Sequence, residues 1–189
     1  VYPMFGERCM ADCPEQCTRY YISCDYGTVN PASFGLWGLS RGVWYRMTEY
    51  YYSSKREGSQ KTDEEYYTEL KRLASSYPIT AVICDPSAAS FITTVRRHGE
   101  FKVIPAKNDV IDGIRRVSDC LKSGKIKICR ECKDSIREFS LYSWDEGSLK
   151  DCPKKENDHA MDDIRYFVSS VLYRNELPSV AVAAKREQV

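Results

Sequence analysis

The change of hydrophobic period near residue 60 constrains this chain more than any other feature. Residues 20–25, 33–39 and 43–53 are rich in Tyr, Val, Trp and Phe and are expected to be strands. Ser40-Arg41-Gly42 supplies a tight turn between the last two, so the opening is an antiparallel meander. Thr62-Asp63-Glu64-Glu65 then forms a capping box, and Tyr66, Leu70, Leu73, Ala74 and Tyr77 recur at helical spacing until Pro78. Residues 81–84 form a short buried strand, parallel to the first because a helix separates it from the meander. Beyond it the pattern predicts a helix over 87–98, a strand over 102–105, an amphipathic helix over 109–123, a strand over 125–129 and a helix over 134–142. The polar stretch 143–157 leads to a last helix with Met161, Ile164, Val168 and Val171 on one face. A meander followed by alternating helices and strands gives an α/β fold, a mixed sheet with helices on both faces.

At 189 residues the chain suits one domain with a sizeable core. The expected divisions are an irregular N-terminal segment or linker remnant over 1–18, the domain over 19–175 and a loose tail over 176–189. The Lys55-Arg56-Glu57-Gly58 segment is expected to be a mobile loop. A net charge of +1 neither announces nor excludes nucleic acid, because local patches decide that. No apolar run approaches the roughly 20 residues of a membrane span, and no signal peptide opens the chain. Of nine cysteines, Cys24 and Cys84 lie inside apolar strands and behave as small core residues. Cys9, Cys13 and Cys17 recur every four residues, and Cys129 and Cys132 form a single C-x2-C. A zinc site needs a fourth ligand and usually a second pair, so reduced thiols in a cytosol-like compartment are expected.

Chemistry is concentrated in three acidic motifs. Asp25 closes Tyr-Ile-Ser-Cys-Asp, Asp85 closes Ala-Val-Ile-Cys-Asp, and Asp158-His159-Ala160-Met161-Asp162-Asp163 opens the last helix. One Asp at a strand end is usually a turn or cap residue, and Asp158 or Asn157 can serve as a helix cap. A charge beside a buried strand is costly without a partner, however, and both strands carry one. His159 and Asp162 are three residues apart and share a helix face. Carboxylates that converge need cations to coexist, an arrangement suited to a divalent-metal site that cuts phosphodiesters.

These residues resemble a known family. The element order is that of the ribonuclease H-like fold (RuvC/integrase type). Asp25-Tyr-Gly-x-x-Asn-Pro-Ala32, the strand ending at Asp85, Lys107-Asn108-Asp109-Val-x-Asp112-Gly113-Ile114 and Asn157-Asp-His-Ala-Met-Asp162-x-Ile-Arg-Tyr166 are similar to the C-terminal nuclease domain of phage large terminases, the DNA-packaging motors of tailed bacteriophages. The resemblance covers about residues 19–173, with the motifs in order. It implies that Asp25, Asp85 and Asp162 are metal-binding carboxylates and that His159 is a histidine near the metals. Asp163 departs from the family pattern, which commonly has a small residue there. This leaves the third ligand open between Asp162 and Asp163, with Asp162 favoured by its place one turn from His159.

The implied activity is an endonuclease cutting double-stranded viral DNA concatemers with little sequence preference. Two Mg²⁺ or Mn²⁺ ions about 4 Å apart would share Asp25 as their bridge. DNA would be held largely by its phosphates, with Lys107, Arg115, Arg116, Lys154 and Lys155 as candidate contacts, although charge runs are usually solvated faces. The resemblance also implies an ATPase domain upstream, since no phosphate-binding P-loop occurs here and the chain does not begin with Met. The portal and the small terminase subunit would be further partners, in the host cell cytoplasm. Two other readings stand beside this one. Asp25-Tyr-Gly-Thr28-x-Asn30 matches the phosphate turn of actin-like ATPases and sugar kinases, whose second phosphate loop and adenosine motif are lacking here. A non-catalytic docking module would use the same acids as caps and surface charge, and would bind no divalent metal.

Overall fold

The computed structural model describes residues 1–75, 77–148 and 151–174. The meander is β2 (Arg19–Asp25), β3 (Ala32–Ser40) and β4 (Val43–Tyr52), with Ser40 paired to Val43 across a two-residue turn. After it come the short helix α1 (Ser54–Glu57), α2 (Asp63–Ala74), β5 (Ile79–Cys84), α3 (Ala89–His98) and β6 (Val103–Pro105). Then follow α4 (Val110–Ser123), β7 (Ile126–Cys129), α5 (Lys133–Leu141) and α6 (His159–Phe167). The capping box holds as expected: the Thr62 hydroxyl accepts from Glu65 N and the Glu65 carboxylate accepts from Thr62 N.

With the two-residue strand β1 (Met10–Ala11), the sheet runs β1-β7-β4-β3-β2-β5-β6. β3 is antiparallel to both neighbours and the other pairings are parallel. Helices cover both faces. On one, α2 and α3 bury Tyr66, Leu70, Phe91 and Val95 against Ile22, Phe34 and Val82. On the other, α4, α5 and α6 bury Val117, Phe139, Ile164 and Phe167 against Trp37, Ile126 and Ile128. Trp37 and Phe167 stack with ring centroids 4.0 Å apart, which seats α6 across the middle of the sheet.

Three features differ from expectation. Residues 1–18 contain a 3₁₀ turn (Glu7–Cys9) and β1, and they bury Tyr2 and Cys9 in the core. A strand of two residues is too short to show a period, which hides it in the sequence. The 55–58 loop includes α1, ended by Gly58 in the left-handed region. The last helix continues into a π-helical turn, Val168–Leu172. The 176–189 tail lies outside the described residues. Among the described residues no helix is long and apolar enough to cross a membrane.

Candidate active site

β2 and β5 are parallel neighbours in a register that pairs Cys24 with Cys84, so Asp25 and Asp85 stand side by side just beyond that pair. Ligands of such sheets bind outside the strands' carboxyl ends, where loops and helix starts can surround them. The first turn of α6 reaches the same place. His159 Nδ1 lies 2.9 Å from Asp25 Oδ2, joining residues 134 apart in the chain. Asp25, Asp158, His159 and Asp162 line one cleft of about 540 Å³ with the 26–31 loop and Ser87–Ser90.

Burial pushes the Asp25 carboxyl up to about 6; the nearby Asp162 charge adds to this and the His159 hydrogen bond opposes it. Burial alone would lower His159, but its hydrogen bond to Asp25 and the charges of Asp25 and Asp158 outweigh that and raise it. Asp85 sits beside the cleft lining, with its carboxylate accepting from Ser87 N at 2.8 Å and Asn108 Nδ2 at 3.1 Å. Burial opposes ionisation of Asp85, yet the hydrogen bonds from Ser87, Asn108 and Tyr166 win and hold it below the usual carboxylate range. Asp162 receives Arg165 Nη2 at 2.7 Å. Arg165 also donates to the carbonyls of Asn108 (2.6 Å) and Asp109 (3.0 Å), tying α6 to the start of α4.

Asp163 has a different setting from Asp162. It is fully buried against the sheet, receiving Arg46 Nη2 at 2.7 Å, the Ser33 hydroxyl at 2.9 Å and the Ser23 hydroxyl. Both of its oxygens are occupied there, so the structure does not bring it to the cleft. Burial pushes it up to about 6, still ionised at neutral pH. Burial alone would lower the Arg46 guanidinium, but Asp163 and Glu49 outweigh that and hold it charged.

The basic residues scatter. Lys155 lines the cleft, 4.0 Å from Asp158 Oδ2, and Lys154 is exposed nearby in sequence. The Lys107 ammonium donates to the carbonyls of Tyr173 (2.8 Å) and Arg174 (3.0 Å) at the end of the last helix, a structural position rather than a free cation. Arg115 pairs with Asp112 at 3.1 Å and lines a separate depression with Ile111 and Trp144. Arg116 lies over the Tyr173 ring.

A sequence model of the terminase RNase H-like domain matches residues 30–170. The chain belongs to that family. The large terminase of Escherichia phage T5 is 26% identical over 133 residues, 67% of this chain and 30% of that protein. The large terminase of a thermophilic bacteriophage, solved in complex with ADP, is 47% identical; the match covers 91% of this chain and 44% of that one, with a TM-score of 0.88. The nuclease domain of the bacteriophage SPP1 large terminase, solved with bound Mn, shares the fold at 18% identity and a TM-score of 0.60, covering 85% of this chain and 94% of that one. The chain therefore spans less than half the length of the T5 terminase and of the ADP-bound one.

Within this terminase domain, several residues that matter to the site carried no assigned role in the sequence. Asn108 orients Asp85 and Arg165 braces Asp162. Arg165 stands three residues after Asp162, a helical ion-pair spacing that could have drawn notice. Glu138, fully buried in α5, gave no such signal.

Proposed function

We propose that this domain is the divalent-metal-dependent endonuclease of a phage large terminase, cutting double-stranded DNA with little sequence preference during genome packaging. The observation that carries this reading is the cleft at the carboxyl ends of β2 and β5, where Asp25, His159 and Asp162 meet although 137 positions separate the first from the last. The donor set suits a hard cation: carboxylate oxygens, one of them raised to about 6 by burial and a like-charged neighbour, a cost that a bound cation offsets. Among the described residues no three His, Cys, Asp or Glu side chains are grouped to hold one ion as they stand. Asp25, Asp85 and Asp162 are each engaged with protein partners, and each carboxylate would have to offer a cation an oxygen alongside or in place of those bonds.

Asp25, Asp162 and Asp85 would hold two Mg²⁺ or Mn²⁺ ions, which supply an activated water and neutralise charge on the leaving 3′ oxygen. The chain's own residues do the rest. The imidazole of His159 holds the Asp25 carboxylate by its Nδ1 contact, and Arg165 holds Asp162 until it is needed. Lys155, at the cleft rim, meets a DNA phosphate, and Lys154 extends that charge. Manganese in the SPP1 nuclease domain agrees with this chemistry. An ATPase domain in the same polypeptide, the portal and the small terminase subunit are the partners that a packaging role requires, with the host cytoplasm as its setting.

Incubation with supercoiled plasmid in Mn²⁺, Mg²⁺ or EDTA tests the assignment. Nicking and linearisation with either metal and none with EDTA are expected, and Asp25→Asn should abolish cutting while leaving the circular dichroism spectrum unchanged. Full activity of folded D25N, or undiminished cutting in EDTA, would sink the proposal.

A further inference from the structure

The cleft residues of α6 depend on a helix start that lacks its own cap. Asp158 occupies the N-cap position, but its side chain makes no capping hydrogen bond. The first turn of a helix leaves backbone N–H groups without partners, and buried ones must find an acceptor. Here the acceptor comes from another helix. Glu138 of α5, fully buried, receives Ala160 N on Oε2 at 2.7 Å. Ala160 lies between His159 and Asp162 in that first turn.

We propose that Glu138 is a positioning residue for the α6 side of the site, fixing the first turn so that His159 and Asp162 face the cleft. The inference rests on the nuclease reading for its catalytic consequence, but its structural claim stands on the hydrogen bonds. Tyr51 OH donates to Glu138 Oε1 at 2.6 Å, so both carboxylate oxygens accept from protein donors. Burial raises the Glu138 carboxyl, and those two bonds oppose it by favouring the anion. An anion at a helix N-terminus is favoured by the helix dipole. The preceding residue grips the same segment: Arg137 Nη1 donates to the side-chain oxygen of Asn157 at 3.2 Å. α5 is itself anchored in the same way, because Glu49 of β4 accepts from Asp134 N at 2.7 Å and from Ser135 N at 3.2 Å. The order of support thus runs from the sheet to α5 and from α5 to α6. A buried carboxylate without such a task would be replaced at little cost by an apolar side chain.

The test compares wild type with Glu138→Ala and Glu138→Gln in the full chain, by Mn²⁺ titration of plasmid cleavage and by amide hydrogen exchange. Removing a group that orients metal ligands typically costs about 10–100-fold in metal affinity or activity. E138A should raise the half-saturating Mn²⁺ concentration about tenfold, with a smaller change in turnover at saturating metal, in line with that range. Exchange of residues 159–163 should quicken while β5 stays protected. E138Q keeps the shape and one acceptor oxygen, so it should fold and fall between the two. A variant that melts earlier but keeps wild-type metal dependence and wild-type exchange at 159–163 would show Glu138 to be structural filling and overturn the proposal. If wild type cuts with neither Mn²⁺ nor Mg²⁺, the nuclease reading fails by itself, and the exchange measurement still decides whether Glu138 holds α6.

Discussion

An α-helix turns by about 100° per residue, which sends the neighbours Asp162 and Asp163 to different faces of α6. Asp162 lines the cleft beside Arg165, whereas Asp163 enters the core and meets Arg46. The sequence left the two open as ligands because the partner that separates them, Arg46, lies 117 residues away on β4. Arg46 has its own requirement. A Cβ on Gly35 would collide with Arg46 Nη1, so the guanidinium reaches Asp163 only because β3 carries glycine there. Neither residue advertises this in strands recognised only by their Tyr, Val, Trp and Phe content. Asp163→Asn should leave the buried Arg46 with only its longer contact to Glu49, at 3.5 Å, and cost about 3 kcal/mol, the low end of the penalty for breaking a buried pair. Urea denaturation measures it. The same variant, assayed cold where it is folded, should retain cleavage within a few fold, whereas Asp162→Asn should lose it. Equal loss of activity in two equally folded variants would put Asp163 in the chemistry after all.

At the scale of elements, most boundaries were legible because period and punctuation agreed. The capping box at Thr62 marks a start that the hydrophobic stripe alone leaves vague, whereas α2 ends at Ala74, short of the Tyr77 and Pro78 that the spacing predicts as its close. The contacts between elements were not legible, and α4 against α6 shows why. Gly113 sits inside a helix, where glycine normally costs stability relative to alanine. A Cβ there would overlap Cγ and Cδ of Arg165. The glycine is the space through which Arg165 passes to brace Asp162 and the Asn108 carbonyl. Gly113→Ala should therefore destabilise despite its better helix propensity, by about 1–3 kcal/mol as overpacking does. Cleavage should fall as Arg165 is displaced. Thermal melting and the plasmid assay check both, and a stabilised, fully active G113A would refute the packing argument.

For the whole molecule, the sheet order explains how a site assembled from distant segments stays in register. β2 and β5 lie toward one side of the sheet, and α6 crosses its middle by packing on Trp37. α6 is held from α5, and α5 is in turn packed against the N-terminal residues. Phe5 stacks on Phe139 at 3.9 Å and Tyr2 meets the same ring edge-on at 5.3 Å. β1 pairs with the far edge of β7 through Met10–Ile128 and Ala11–Cys129. The segment expected to be a linker remnant is thus the outermost layer of support for the α6 first turn, since Phe139 is the next residue after Glu138. Burying a large apolar side chain contributes about 1.5–3 kcal/mol, so losing Tyr2 and Phe5 costs several. For a chain of this size each kcal/mol shifts melting by about 2–4 °C. Deleting residues 1–11 should then lower the melting temperature by about 10 °C or more, on that scale, and uncover the β7 edge. Cleavage should weaken even well below that melting point, because α5 loses its backing and α6 its hold. Scanning calorimetry with a cold plasmid assay reads both effects, and a truncated chain that melts and cuts like the intact one would return residues 1–11 to the status of a linker.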